Sequence, residues 1–401
     1  MSSEAQEGWR ESALGDLCQI AIGGTPPRRK PEYWAAHDGG HPWVAISDMR
    51  DAVIHRTKER ITDAGVANSN VKPVAAGTVL MSFKLTIGRV AVAGIDLFTN
   101  EAIAAFQPGA KLDKSFLPYW LEHIVANADT DQAIKGATLN KKKLAALSGV
   151  LPPLDEQQRI AEVLRSVDAA IAASDALLKG VKATKQGAME AALSGQFDEV
   201  RLETLLAETR YPMRSGPFGS ALLKSELQPE GIPFLGIDNV HVERFVPVYR
   251  RFVSDEKYRE LARYTVYPGD VMVTIMGTVG RCCVVPSDVG TAISSKHVWT
   301  LTLDQSRYSP ALLAWQINHS PAVLAQLQGS AQGGIMSAIS SGTLRELLVP
   351  LPSPDEVEQI ERLLLSFNAE IAALEAQQEQ SRELKAALMS DLLCGRVRVP
   401  A

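Results

Sequence analysis

Residues 151–197 and 351–397 are two copies of one segment, set 200 positions apart. LPPLDEQQRIAEVLRSVDAAIAASDALLKGVKATKQGAMEAALSGQF aligns without a gap on LPSPDEVEQIERLLLSFNAEIAALEAQQEQSRELKAALMSDLLCGRV, and 16 of the 47 positions are identical. Among these are Pro152/Pro352, Asp155/Asp355, Glu156/Glu356, Ile160/Ile360, Leu164/Leu364, Ile171/Ile371, Met189/Met389 and Gly195/Gly395. Self-similarity on this scale makes the chain a tandem duplication, each unit a globular module followed by a long helix.

Each copy carries its own expected start and stop. Asp155 and Asp355 follow prolines, and Gln158 and Glu358 lie three residues on, which is capping-box spacing with an acidic N-cap. Gly195 and Gly395 stand where a left-handed C-cap is expected. Between these limits apolar residues recur at steps of four and three: Ile160, Leu164, Val167 and Ile171 in the first copy, Ile360, Leu364, Phe367 and Ile371 in the second. Those steps average the heptad period of a coiled-coil seam. The seam lapses at Ser174, Lys185, Gln378, Ser381 and Lys385. At ~1.5 Å per residue each helix would span roughly 55–60 Å. A half-apolar seam needs a partner, so the expected arrangement is an antiparallel pair acting as a rigid spacer. The competing reading is two helices packed as ordinary core.

Composition sets limits on function. A length of 401 residues suits two or three domains, and 46% apolar residues suffice for their cores. No run of about 18 apolar residues is present, so no membrane span is expected. MSSEAQEGWRESALGDL lacks the basic start and apolar stretch of a secretory signal. Cys18, Cys282, Cys283 and Cys394 fit neither a zinc knuckle nor a disulfide framework, and a cytoplasmic location with reduced thiols is expected. The net charge of −5 is uneven. Residues 1–150 carry 17 Lys and Arg against 16 Asp and Glu, and residues 351–401 carry 5 against 9. Nearly neutral modules do not advertise polyanion binding, so DNA binding by this chain alone would be weak or would rely on a partner's phosphate contacts.

The modules echo each other more faintly than the helices do. HPWVAISDM (41–49) and IPFLGIDNV (232–240) read as buried strands entering polar loops. AAGTVLMSFKLTIGRVAV (75–92) and YPGDVMVTIMGTVGRCCV (267–284) each read as a turn glycine, a strand, a tight turn ending in Gly-Arg, and a second strand. TNEAIAAF (99–106) and SSKHVWTL (294–301) suggest another matched strand, and FLPYWLEHIVA (116–126) and ALLAWQINHSP (311–321) have helical period. KGATLNKKKLAAL (135–147) and GGIMSAISSGTLREL (333–347) are polar loops leading to each helix.

In this order (module, P-x-x-D-E-Q-x-x-I helix, module, second such helix), with SGPFGS and the T-[IV]-G-R turns, the chain resembles the specificity subunit of a type I restriction–modification system. The likeness runs from about Leu14 to Val397, and LPPLDEQQRIAEVL is its most specific piece; Val357 and Gln359 depart from it in the second copy. The resemblance implies two target-recognition domains, 1–150 and 198–350, each reading one half of a split, asymmetric sequence in double-stranded DNA. It implies spacer helices at 151–197 and 351–401 that set the gap and dock two methyltransferase (modification) subunits. Restriction/translocase subunits would complete the nuclease. The specificity subunit itself performs no chemistry, so S-adenosylmethionine and ATP are expected on partners and no cofactor or metal on this chain. The expected fold class is α/β (α+β): mixed short-strand sheets with helices, two long antiparallel coiled-coil helices, and a pseudo-two-fold repeat. Two readers on one face of a duplex would sit about one helical turn, ~34 Å, or a multiple apart.

Base edges are read by Arg, Lys, Asn, Gln, Ser and Thr, while phosphate contacts position the protein. Arg89 and Arg281 end the matched turns, presenting a cation to phosphate or guanine or simply completing the turn; Lys84, Thr86 and Thr278 lie in the same turns. Gly24, Thr25, Arg28, Arg29 and Lys30 could line the DNA or form a solvated loop. Ser215, Gly216, Phe218, Gly219, Ser220 and Lys224 match the family motif and are expected near DNA. Lys296 and His297 fall where module one has Asn100 and Glu101, and read either as a recognition pair, with Asn100, or as core-edge residues. Lys135 and Lys141, with Lys142 and Lys143, are candidate phosphate contacts or a solvated helix start. Glu156, Gln157, Arg159, Ile160, Glu356 and Ile360 are candidates for partner docking on the helices. Trp34, Trp43, Trp299 and Trp315 read as core rather than base-stacking groups.

Enzyme readings find little support. Pro152-Pro153 is flanked by Leu151 and Leu154, not by the Asn/Asp and aromatic residue of a methyltransferase motif. No G-x-x-x-x-G-K-[ST] loop or G-x-S-x-G elbow occurs, and Pro354-Asp355-Glu356 lacks a following Glu-x-Lys. A protein-binding scaffold without sequence-specific DNA contact is the alternative class.

Overall fold

The computed structural model describes residues 8–36, 39–128, 140–195, 197–329 and 339–399. The chain divides into two compact units, Met1–Asp175 with Ala376–Ala401, and Ala176–Glu375.

In the first unit, short apolar runs bounded by turns give strands β1 (Cys18–Ile22), β2 (Val79–Ser82), β3 (Val90–Ala93) and β4 (Ile103–Pro108). They lie in the order β1-β4-β2-β3, with Val53–Ile54 beside β3. All four residues of β2 are buried, so Val79, Leu80 and Met81 read as an apolar run rather than an alternation. A second sheet pairs His41–Val44 in parallel with Leu97–Thr99. Helix Leu117–Asn127 closes the core with Leu117, Trp120 and Leu121 fully buried.

The second unit repeats this plan with β5 (Met213–Ser215), β6 (Val271–Thr274), β7 (Cys282–Val284) and β8 (Val298–Leu301) in the order β5-β8-β6-β7. Ile232–Leu235 again pairs in parallel with Ala292–Ser294. Helix Pro310–His319 covers the sheet, with Leu312, Leu313 and Ile317 fully buried. Cys282 and Cys283 of β7 are buried free thiols in separate core clusters, Cys282 alone in the one beneath this helix; burial pushes Cys283 up to about 12 and Cys282 well above its ordinary value. In each unit the strand entering the module pairs with the strand leaving it. Arg10–Ala13 pairs with Ser148–Leu151, and Asp198–Arg201 with Leu348–Leu351.

The repeat segments form long helices, α1 (Leu154–Ala192) and α2 (Pro354–Leu393). In the first unit Ile160, Ala161 and Leu164 of α1 share one core cluster with Leu392 and Leu393 of α2. Cutting the fully buried Ile160 back to Ala would cost about 2–5 kcal/mol. Polar pairs set the register. Lys385 meets Asp168 at 2.7 Å and Arg382 meets Asp175 at 3.2 Å, so numbers rise on one helix as they fall on the other. In the second unit Lys182 meets Glu375 at 2.7 Å and Lys185 donates to Asn368 at 2.7 Å. Each unit is thus antiparallel in its helix pairing, and each uses the same repeat positions: 168/368 with 185/385, and 175/375 with 182/382. The apparent lapses at Lys185 and Lys385 are therefore specific contacts. Lys185, almost wholly buried, also pairs with Glu243 of the second module. Lys385 lies over Tyr119, whose hydroxyl donates to Asp168.

The helix ends differ from expectation. Helix α1 starts at Leu154 and α2 at Pro354, placing Asp155 and Asp355 inside the first turn, where a negative charge suits the helix dipole. The capping position falls two residues earlier: Ser353 accepts the Val357 amide through its carbonyl, and Glu356 accepts from the Ser353 amide at 2.8 Å. Gly395 has φ 73, the left-handed conformation expected of a C-cap, but Gly195 is absent from the left-handed positions. Among the described residues no helix is long and apolar enough to cross a membrane.

Candidate nucleic-acid interface

Three loops meet in each module, and the backbone holds them the same way twice. In the first, Ser82 ends β2. Its amide donates to the Arg89 carbonyl at 3.0 Å, and its carbonyl accepts from Gly88 at 2.9 Å. Its fully buried hydroxyl donates to the Thr86 carbonyl and accepts from the Arg89 amide at 3.2 Å. In the second, Thr274 ends β6 and repeats every bond, to Arg281, Gly280 and the Thr278 carbonyl. The sequence selects this turn through a hydroxyl at the strand end and a glycine six residues on, with φ 84 at Gly88 and φ 85 at Gly280.

The turn preceding β4 or β8 packs beside this hairpin. Phe83 donates to the Ala102 carbonyl at 2.9 Å, and Ile275 to the His297 carbonyl at 3.0 Å. Those bonds set the correspondence: Ala102 matches His297, and Glu101 matches Lys296. The expected pairing of Lys296 and His297 with Asn100 and Glu101 is thus off by one residue. The third loop leaves β1 or β5. A side chain on Gly23 would collide with the Thr99 and Asn100 carbonyls, and one on Gly216 with the Ser294 carbonyl, so both close approaches require glycine.

In module one the loops converge on Glu101. Thr25 donates its hydroxyl to the carboxylate, and Lys84 and Arg28 lie near enough to favour its charge. The Thr25 bond foremost, and then these cations, hold Glu101 below the usual carboxylate range against partial burial. In module two the Ser215 hydroxyl donates to the Lys296 carbonyl at 3.2 Å. Burial chiefly, then Lys296 and Arg251, lower His297 below its ordinary 6.5, so it is neutral at pH 7.

The other expected contacts divide by position. Gly24 is buried: its amide donates to the Thr99 carbonyl, and the Trp43 indole donates to the Gly24 carbonyl at 3.0 Å, so its task is internal packing. Arg28 is committed to Glu59 and stacks 3.9 Å from Trp34, while Arg29 is exposed. Lys30 lies 3.7 Å from Glu32. Asn100 accepts the Ala102 amide through its side chain. Arg89 is exposed and borders a cleft of about 670 Å³ with Arg50 and Glu122. Arg281 is half-buried at the matched turn, and Thr278 there shapes the loop through its carbonyl. Ser215 and Gly216 are buried, whereas Phe218, Gly219, Ser220 and Lys224 are exposed beyond them. Lys141, Lys142 and Lys143 form the exposed start of a short helix. Lys135 lies outside the described residues. Trp43 and Trp315 are core, each 1% exposed.

The helix residues expected to dock partners are mostly internal. Gln157 is fully buried, accepts the Asp113 amide at 2.7 Å and donates to the Lys111 and Pro152 carbonyls, fixing module one to its helix. Glu156, 2% exposed, accepts from Trp9 at 3.1 Å and from Arg398 at 2.6 and 2.8 Å, so the first and last described segments meet at one carboxylate. Ile160 and Ile360 are core, Arg159 bonds Asp155 and the Val399 carbonyl, and Glu356 serves the helix cap. Burial leaves Glu156, Gln157, Ile160 and Ile360 without a surface to offer.

Residues 6–183 match the model of the type I restriction modification DNA specificity domain. The matched stretch is 178 of the 401 residues, and over it the chain is similar to type I restriction–modification specificity subunits. The type I restriction enzyme MjaIX specificity subunit of Methanocaldococcus jannaschii is 28% identical over 171 residues, 40% of this chain; the match spans 38% of that relative's length. The putative type I restriction enzyme MjaX specificity subunit of the same organism is 22% identical over 430 residues, 99% of this chain and 95% of that one. The fold is that of the type I restriction–modification S subunit from M. genitalium, with a TM-score of 0.58 over 98% of each chain at 12% identity.

Two exposed features of this chain escape sequence reading. Leu85, at the first hairpin tip, is 97% exposed with φ 62, where the second hairpin has Gly277 with φ 73. A bulky residue there is strained, at a position where the other hairpin has glycine. Glu101 as a hub is equally invisible, since its Thr25 partner is 76 residues away. Only the backbone bonds that align the two modules expose either.

Proposed function

We propose that this chain is the DNA sequence-specificity subunit of a type I restriction–modification assembly. Each module reads one half of a bipartite, asymmetric duplex target. The paired helices set the spacer and dock two modification subunits, and restriction/translocase subunits join them. The chain itself catalyses nothing and binds no cofactor; S-adenosylmethionine and ATP are used by its partners in the cytoplasm.

One observation carries this reading: a single three-loop frame occurs twice in one chain, with the same backbone bonds and different exposed tips. Two such frames suit two different half-sites. The near-neutral modules supply few phosphate contacts, which suits a reader that depends on partners for affinity. Direct readout then rests on tip side chains meeting base edges.

The test is a module exchange. The full chain, co-expressed with its modification subunits, is compared with a hybrid whose residues 1–150 come from another specificity subunit, and the methylated sites are sequenced. One half of the modified sequence should change and the other persist. A chain that never confers sequence-specific methylation, or a hybrid with an unaltered target, would refute the reading and favour a protein scaffold.

A further inference from the structure

The two frames place opposite charges on one backbone position. Glu101 and Lys296 each precede the residue whose carbonyl accepts from the hairpin, Ala102 or His297, and both are exposed. Arg89 and Arg281, by contrast, are the same residue at the same turn. Identical cations cannot discriminate between half-sites, but a carboxylate and an ammonium ion at matched positions can.

We propose that Glu101 and Lys296 are equivalent base-reading positions of opposite polarity. Glu101 accepts from the exocyclic amino group of a cytosine in one half-site, and Lys296 donates to the O6/N7 edge of a guanine in the other. The inference rests on the specificity-subunit reading.

The chemistry narrows the choice of base. A carboxylate facing DNA is repelled by phosphate and finds its only major-groove donors on cytosine N4 and adenine N6. Adenine sets its N7 acceptor beside that amino group, which repels a second carboxylate oxygen, so cytosine is preferred. Lys84 and Arg28 beside Glu101 offset repulsion from neighbouring phosphates, and Thr25 orients the carboxylate while leaving it lone pairs to spare. An ammonium ion takes guanine, where two acceptors lie side by side. Lys296 and Arg251 both lie near His297, and Arg251 is paired with Asp238 at 2.7 Å, so Lys296 rather than Arg251 carries the charge this loop offers to DNA.

The experiment uses the full chain assembled with its modification subunits to select duplexes from a fully randomised double-stranded DNA library. Glu101→Gln should relax one C·G pair in a single half-site, with discrimination falling roughly 5- to 150-fold. Lys296→Met should relax one G·C pair in the other half, and Lys296→Arg should retain it. Lys296 is exposed, so its variants test the idea even if Glu101→Gln disturbs its loop. A defined wild-type target unchanged in both Glu101→Gln and Lys296→Met overturns this inference alone. A wild-type assembly that selects no defined sequence overturns the functional reading, and this inference with it.

Discussion

Replacing Asp270 by Ala should strongly destabilise the second unit and loosen the loop that begins at Ser215. Arg214 and Asp270 form an ion pair whose side chains are only 5% and 1% exposed. Asp270 also accepts from Thr302 at 2.6 Å and from the Tyr267 amide at 2.7 Å; Arg214 donates to the Thr265 carbonyl at 2.6 Å and to the Thr302 hydroxyl at 2.8 Å. Burial pushes Asp270 up and Arg214 down, each toward its neutral form, and their attraction opposes this. Removing one partner strands a buried charge, at a cost of about 3–5 kcal/mol. For a unit of this size that lowers the melting temperature by roughly 6–20 °C. The first module supplies the control. Strand pairing sets Ala21 opposite Ala105 as Arg214 lies opposite Thr300, and Thr78 holds the position of Asp270. There the frame stands without the pair, around a cleft of about 340 Å³ that Ala21 and Thr78 help to line. The double variant Arg214→Ala/Asp270→Thr should therefore cost less than Asp270→Ala alone. Scanning calorimetry on both variants decides. A loss below about 1 kcal/mol for Asp270→Ala, or a double variant whose cost equals the sum of its singles, would refute the argument.

Three further outcomes follow from other contacts. Thr274→Ser should leave duplex affinity unchanged. Thr274→Ala removes a buried hydroxyl with two bonds, should cost about 1–3 kcal/mol, and should weaken binding in an anisotropy assay. Glu243 lies below its ordinary 4.5: burial opposes this, but His319 and Lys185 outweigh it. Its stabilisation is thus complete above 4.5 and lost as pH falls through the lower folded value, so Glu243→Gln should flatten that acid limb in pH-dependent urea unfolding. His297 gains a proton only below its ordinary 6.5, so acidification should raise duplex affinity of the wild type but not of His297→Ala.

The long helices were legible because heptad spacing needs no distant information. Their caps were misplaced by two residues because Asp is a common N-cap, whereas here Ser353 takes that place and the acids serve the first turn. Lys185 and Lys385 read as interruptions since their partners, Asn368 with Glu243 and Asp168, lie far along the chain. The hairpins could be read from glycine spacing. The register of Lys296 was off by one, because only the bonds from Phe83 and Ile275 align the turns. Of the candidate site, the shared Arg89 and Arg281 were visible; Leu85 and the Glu101 hub depend on contacts that local pattern does not encode.

The hairpin is shaped by one buried hydroxyl and by main-chain bonds, none of which involves the side chains at its apex. Apex residues are therefore released from structural duty. Lys84-Leu85 in one copy and Met276-Gly277 in the other already occupy the same perch. Substitutions at this perch leave the bonds that shape the turn untouched, and the left-handed backbone at Leu85 and Gly277 is what limits the choice of side chain.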